Sequence, residues 1–243
     1  MPEQPDYDLH LPKALTYPVP VALVSAGLAT LLYFLLRRMP VLAGVLCGLS
    51  LLVGVVYTGV HVFLRRLTNL QFRLQARDKF LDGIPWRGDE NVLDVGCGNG
   101  ILTMGVAKRL TEGKVIGTDV WTEGSGANRL DVFVENARIE GVADRVEIQN
   151  ENVRNLPYDD GAFDVVISGL TVHHLGFDTE RAVREMVRVL RPGGWLAVYD
   201  EPSSVFYSAR LMRRLGLMVE RKTTNIVYGT KQSATTEPEA RPR

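Results

Sequence analysis

Apolar positions along this chain follow two different patterns. From Tyr17 to Leu36, and again from Val41 to Leu64, the residues carry no charge and show no polar face. At 1.5 Å rise per residue, about twenty helical residues cover the ~30 Å hydrocarbon core of a bilayer. The two runs therefore predict a transmembrane hairpin with helices over about 17–36 and 40–64, preceded by a tail over 1–16. Arg37-Arg38-Met39-Pro40 breaks the runs and Arg65-Arg66 stops the second. Pro40 suits a first helical turn, where its missing N–H would have no partner. Ala22/Ala26, Ser25/Ala29 and Gly44/Gly48 recur four apart, a spacing that lets membrane helices approach closely within one chain or between chains. A secretory signal would carry a basic start and one short apolar core. Here Glu3, Asp6 and Asp8 face a lone Lys13, and a second run follows. Both runs are also long for helices buried in a soluble core. The short arginine connection leaves room for a shallow hairpin that dips in and returns. Arg65, Arg66, Arg73, Arg77 and Lys79 outnumber Arg37 and Arg38, which places the C-terminal domain in the cytoplasm.

A linker over 67–88 follows. Within it Asn69 to Leu81 sets Leu70, Phe72, Leu74 and Phe80 among basic residues, as in a short helix lying on a membrane surface or covering a sheet edge. From residue 89 to 232 the pattern changes to short β-branched runs alternating with helical ones. Strands are predicted at Asn91–Val95, Lys114–Asp119, Arg145–Gln149, Phe163–Ser168 and Trp195–Asp200. Helices fall near Ile101–Leu110, Asn128–Glu140 and Asp178–Leu190. This alternation predicts an α/β, doubly wound, mostly parallel sheet covered on both faces. Ala182, Val183, Met186, Val187 and Leu190 form the stripe of the last helix, with Asp178 as its cap and Pro192-Gly193-Gly194 as its end. One more helix near Ser203–Leu215 precedes two runs, Leu217–Thr223 and Ile226–Lys231, short enough in their connection to pair antiparallel. The polar tail over 233–243 reads as disordered.

Charge and cysteine content narrow the chemistry. Twenty-eight basic residues balance 28 acidic ones, which gives no reason to expect nucleic acid as a partner. The two cysteines, Cys47 and Cys97, form neither a disulfide framework nor a metal spacing, so no metal is expected.

The informative segment is Asn91-Val-Leu-Asp94-Val-Gly96-Cys97-Gly98-Asn99-Gly100, in which a buried strand runs into three alternating glycines and a helix opens at Ile101. Glycines let backbone turn sharply against a ligand, and the helix start offers unpaired N–H groups. Asp94 stands two residues before the first glycine, suited to a cationic amino group and repellent to a pyrophosphate. Ile101 stands where the dinucleotide fingerprint needs glycine, which argues against a nicotinamide-dependent reductase. Asp119 ends the next strand, where a carboxylate can accept both ribose hydroxyls. The implied ligand has an amino acid at one end, a ribose in the middle and a base beyond.

This segment resembles motif I of the class I S-adenosylmethionine (SAM)-dependent methyltransferases, and Val115–Asp119 resembles their second, acidic motif. The similarity continues through Asn155–Tyr158, Gly161–Val166, Leu170–His174 and Leu190–Trp195, covering roughly residues 70–232. It implies a seven-stranded sheet, SAM as cofactor and methyl transfer as activity. It further implies that Asp94, Gly96, Cys97, Gly98 and Gly100 line the methionine and ribose, and that Asp119 holds the ribose hydroxyls. Val120 or Trp121 would lie on adenine. Asn152-Val153 falls where the family has an acid facing the adenine amino group, so the bond there would be uncharged. Ser168 would end the fourth strand at the sulfonium side.

Methyl transfer from a sulfonium is an in-line displacement that needs alignment and sometimes a base. His173 and His174, beyond the fourth strand, are the candidate catalytic residues, with Asp200 or Glu201 beyond the fifth. Cys97 reads as a small residue that fits its loop. The hairpin puts the pocket near lipid, which favours an apolar or lipid-like small-molecule acceptor, such as a quinone precursor. Glu123-Gly124-Ser125-Gly126 is flexible enough for a lid. The same cradle would also serve a non-catalytic SAM-binding sensor or scaffold on a membrane.

Overall fold

The computed structural model describes residues 4–7, 19–35, 38–121, 129–220 and 223–233. The proposed lid at Glu123–Gly126, the loop residue Arg37, and the tail beyond Ser233 lie outside the described residues. The chain divides into two units, one spanning Asp8–Leu74 and the other joining the residues up to Tyr7 with Gln75 onward.

In the first unit, α1 (Val19–Leu35) and α2 (Pro40–Thr68) pack against each other. Ser25 and Ala29 face α2, as their spacing predicts. Gly44 and Gly48 do not face α1, since a Cβ at either would meet nothing within 4 Å. The positions that meet α1 are Cys47, Ser50 and Gly54. Cys47 Sγ donates to Ala29 O at 3.0 Å and Ser50 Oγ to Ser25 O at 2.7 Å. A Cβ on Gly54 would lie 3.3 Å from that of Ser25. Small polar side chains thus close the interface by bonding carbonyls of the partner helix. Among the described residues one stretch, Pro40–Phe63, is long and apolar enough to cross a membrane, while Val24–Leu35 is a shorter apolar helix. Of the two predicted spans, one has the length and composition to cross a membrane, and the pair is not met.

The second unit is built on a seven-stranded sheet of order β3-β2-β1-β4-β5-β7-β6. Its strands are β1 (Asn91–Val95), β2 (Lys114–Asp119), β3 (Val146–Asn150), β4 (Phe163–Gly169), β5 (Leu190–Tyr199), β6 (Leu217–Glu220) and β7 (Ile226–Lys231). The first five run parallel, and β7 pairs antiparallel with both β5 and β6. Covering helices are α3 (Leu70–Leu81), α4 (Ile101–Ala107), α5 (Leu130–Ile139), α6 (Thr179–Val189) and α7 (Pro202–Arg214). The strand order reverses beside β1, which has β2 on one side and β4 on the other. In open α/β sheets such a reversal leaves a crevice at the strands' carboxyl ends.

Packing explains these elements. β1 is buried along Val92–Val95, and Ala182, Val183 and Met186 bring the stripe of α6 onto it through a core that includes Leu93, Val166 and Leu196. Asp178 stands at the N-cap position of α6 but makes no side-chain cap bond; its carboxylate accepts from Arg154 Nε at 2.8 Å. β5 starts at Leu190, five residues before the predicted Trp195. The Pro192-Gly193-Gly194 stretch is absorbed as an irregularity of register against Phe163–Val165. Gly194 is needed there because a Cβ would sit 2.6 Å from Asp164 O.

The half of α3 inside this unit covers the sheet. Phe80 and Leu81 are fully buried, and the Phe80 ring lies 5.9 Å from that of Tyr199 and 6.0 Å from that of Tyr228. The Tyr228 hydroxyl donates to Phe80 O at 2.7 Å. Sheet cover, rather than a membrane-surface stripe, accounts for the burial of these positions.

A candidate cofactor cradle and a neighbouring carboxylate–histidine pair

The glycine loop is held by backbone. Gly96 and Cys97 N–H both donate to Thr118 O, at 2.7 and 3.0 Å, which curls the chain leaving β1 over the end of β2. Gly96 adopts φ +72°, and a Cβ on it would lie 2.2 Å from Thr171 Oγ1. Gly100 adopts φ +85° against Phe133 of α5, 2.8 Å from where a Cβ would sit. Left-handed backbone and crowding from behind thus both require glycine.

Two carboxylates flank the loop. Asp119 Oδ2 accepts Gly98 N–H at 2.8 Å and Oδ1 accepts Val120 N–H at 2.7 Å. A carboxylate at this strand end is the group that a ribose diol would need as acceptor. Asp94 is fully buried. Its Oδ2 accepts the Thr103 hydroxyl at 2.6 Å, and its Oδ1 has no hydrogen-bond partner. Burial pushes its pKa up to about 7; the Thr103 hydroxyl pulls the other way, and the charge of Asp119 adds to the rise. A buried carboxylate oxygen without a donor is an acceptor awaiting a cation or N–H. Burial also pushes the Cys97 thiol well above its ordinary range, so it is held as an unreactive thiol that fits the loop.

The base side is more open. Val120 is exposed, and Trp121 stands edge-on to Phe133 with an indole N–H that finds no acceptor among the described residues. Asn150, not singled out by its sequence, accepts Trp121 N–H at 3.2 Å; its place opposite Asp119 at the end of β3 is the signal that could have found it. Asn152 Oδ1 accepts Arg154 N–H at 3.0 Å, so this oxygen already serves a local turn, and Val153 is buried. Ser168 is fully buried, and its hydroxyl donates to Val95 O at 3.0 Å. It ties β4 to β1 near the carboxyl end of the sheet.

Beyond β4 the chain turns through Leu170, a non-glycine residue at φ +53°, and enters a 3-10 turn over Val172–His174. Asp200, at the end of β5, is buried. Its Oδ2 accepts Val172 N–H at 2.8 Å and His173 N–H at 3.4 Å, and its Oδ1 accepts Glu201 N–H at 2.7 Å. The same Oδ1 lies 2.7 Å from His173 Nδ1. A carboxylate that only accepts assigns the proton to Nδ1, leaving Nε2 as a free acceptor. His174 is exposed, its ring 3.8 Å from that of His173. The two histidines, equivalent in sequence, are thus distinguished by Asp200.

Residues 93–198 match the family model described as "Methyltransferase domain". This segment is a methyltransferase domain. Its cofactor is SAM, and the cradle fits one, since a donorless buried Asp94 oxygen meets a cationic amino acid and Asp119 meets a diol. The methyltransferase domain is similar to a ubiquinone/menaquinone biosynthesis C-methyltransferase of Salmonella arizonae, 33% identical over 58% of this chain and 58% of that protein. It is also similar to a 27-O-demethylrifamycin SV methyltransferase of Amycolatopsis mediterranei, 32% identical over 57% of this chain and 50% of the relative. The chain spans about half the length of the curated relatives it matches. Among solved structures, a SAM-dependent methyltransferase from Aquifex aeolicus shares the fold at TM-score 0.55 and 21% identity, over 70% of this chain and 96% of that one. The [4+2]-cyclase SpnF shares it at TM-score 0.54 and 24% identity, over 62% of this chain and 60% of that one. The fold therefore serves more than one reaction, and the site has to argue the chemistry.

Proposed function

We propose that this chain is a membrane-anchored methyltransferase that moves a methyl group from SAM to an apolar or lipid-like small molecule. The observation that carries the reaction is the His173–Asp200 pair, at the carboxyl end of the sheet beside the cradle. SAM, when bound, supplies an activated methyl on a sulfonium. Asp94 would hold its ammonium, Asp119 would hold its ribose, and Val120 with Trp121 would lie at its base. His173 Nε2 takes the proton from the acceptor's hydroxyl or acidic carbon while Asp200 orients the ring and offsets the charge it gains. The strained Leu170 fixes the turn that aims His173.

Two observations support an apolar acceptor at a bilayer. Leu170 and Phe177, in the turns after β4 that also carry His173, and Phe206 and Tyr207 on α7 are exposed. The α2 stretch Pro40–Phe63 has the length and composition to cross a membrane. Two of the relatives are named for ubiquinone/menaquinone biosynthesis and for 27-O-demethylrifamycin SV, both consistent with a small-molecule acceptor. The domain lies on the cytoplasmic side, by the basic residues that follow α2.

The test is transfer of labelled methyl from SAM into membrane lipid extracts by the full chain in mild detergent. His173→Ala and Asp200→Asn are expected to lower kcat about a hundredfold or more, as loss of a positioned base does. Full activity in His173→Ala would remove the base from the account, and no transfer into any extract by wild type would remove the acceptor class.

A further inference from the structure

Residues 4–7 are separated from the methyltransferase domain by the whole apolar hairpin, yet they pack within its unit. Asp6 N–H donates to Asn136 Oδ1 at 2.7 Å, and Asn136 Nδ2 donates back to Asp6 O at 2.8 Å. The same Nδ2 donates to Asn99 O at 3.0 Å, inside the glycine loop. Tyr7 is buried, and its hydroxyl donates to Glu140 Oε1 at 2.6 Å. Glu140 also pairs with Lys108, after α4, and lies 3.8 Å from Arg77 of α3. Asn99 Oδ1 in turn accepts Arg129 N–H at 3.2 Å. One buried amide on α5 therefore joins the segment before the hairpin to the turn that carries Gly98 and Gly100.

We propose that Asn136 is a positioning residue for the cofactor loop, and that residues 4–7 complete it by docking on α5. The inference rests on the reading of that loop as the SAM cradle. Asn136 is 1% exposed with residues 4–7 docked, so deleting the Asp6 N–H alone leaves its Oδ1 shielded from water. Without Asp6 its Oδ1 loses its bond and its Nδ2 keeps one acceptor, and an amide so placed shifts to find others. Any such shift moves Asn99 O and with it Gly98, whose N–H is held by Asp119, the ribose acceptor. Cofactor affinity then depends on a segment far from the loop in sequence. Linkage makes the effect reciprocal, so SAM tightens the docking of residues 4–7.

The experiment is a calorimetric titration of SAM into the full chain in detergent, beginning with wild type and followed by Asp6→Pro, Tyr7→Phe and Asn136→Ala. Asp6→Pro deletes the N–H that reaches Asn136 and alters no domain side chain. It is expected to weaken SAM binding about fivefold, within the range of one hydrogen bond. The loss falls on KM for SAM and not on kcat. In wild type, SAM is expected to slow amide exchange at Asp6 and Tyr7. Wild-type affinity in Asp6→Pro, with exchange indifferent to SAM, would overturn the proposal. A lowered melting temperature with unchanged affinity would also overturn it, by reducing the contact to structural support. Wild type that binds no SAM would fell the cradle reading first and this inference with it, a result seen before any variant is tested.

Discussion

Asp94 combines the strongest burial in the cradle with an oxygen that nothing donates to. Its folded pKa of about 7 lies above the usual carboxylate value, so its contribution to stability is complete at low pH and is lost as pH rises through 7. A cation beside it has the opposite preference and binds the ionised form. SAM affinity is therefore expected to rise roughly tenfold from pH 6 to pH 8 and to level off above, with protons released on binding below pH 7. Asp94→Asn should bind weakly with a flat profile. A pH-independent wild-type titration would remove Asp94 from contact with the cofactor. The sequence made Asp94 legible because its offset from the glycines is a local matter. His173 and Asp200 are 27 residues apart, and nothing in the chain ties them together. Their pairing follows from β4 and β5 being neighbours, which is why the sequence left His173 and His174 equivalent. Asn136 and Asn150 were silent for the same reason, since each acts through backbone partners remote in sequence.

At the scale of elements, the join between α3 and the sheet rests on few side chains. Phe80→Ala is expected to cost about 3–5 kcal/mol, the range for a fully buried aromatic, and to lower the melting temperature without changing the SAM site. Tyr228→Phe leaves Phe80 O with only the longer bond from Gly83 N–H at 3.3 Å and should cost about 1 kcal/mol. Thermal unfolding of both variants checks this ranking; equal costs would mean that the hydroxyl, not the ring, holds α3. Periodicity placed every helix and strand of this domain because apolar stripes and β-branched runs report burial directly. It misplaced the start of β5, since Pro192-Gly193-Gly194 has turn chemistry and is carried here as an irregularity inside a strand. It left open which small residues meet α1, and Gly44 and Gly48 do not. Spacing marks a small-residue face, but which face meets α1 depends on the rotation of α2, and that follows from Ser50 and Cys47 finding carbonyls on α1.

For the whole molecule, the proposed anchor has a direct consequence. The full chain is expected to stay with membranes through an alkaline carbonate wash, as a helix spanning the bilayer does. Recovery in the supernatant would leave the methyltransferase domain in place and remove the anchor. Membrane placement was legible only as composition, because a long uncharged run states what solvent a helix prefers and not where it sits. The cofactor was more legible than the acceptor, since SAM's ammonium and diol demand carboxylates at fixed strand ends. An apolar acceptor demands only a shape, which side chains from several loops supply together. The most direct measurement is a calorimetric titration of SAM into the full chain at pH 8, with Asp119→Ala alongside. Saturable one-site binding is expected, weakened about tenfold or more in the variant, on the order of one or two charge-assisted hydrogen bonds. Folded wild-type protein that takes up no SAM, or an Asp119→Ala variant that binds as well as wild type, would contradict the account.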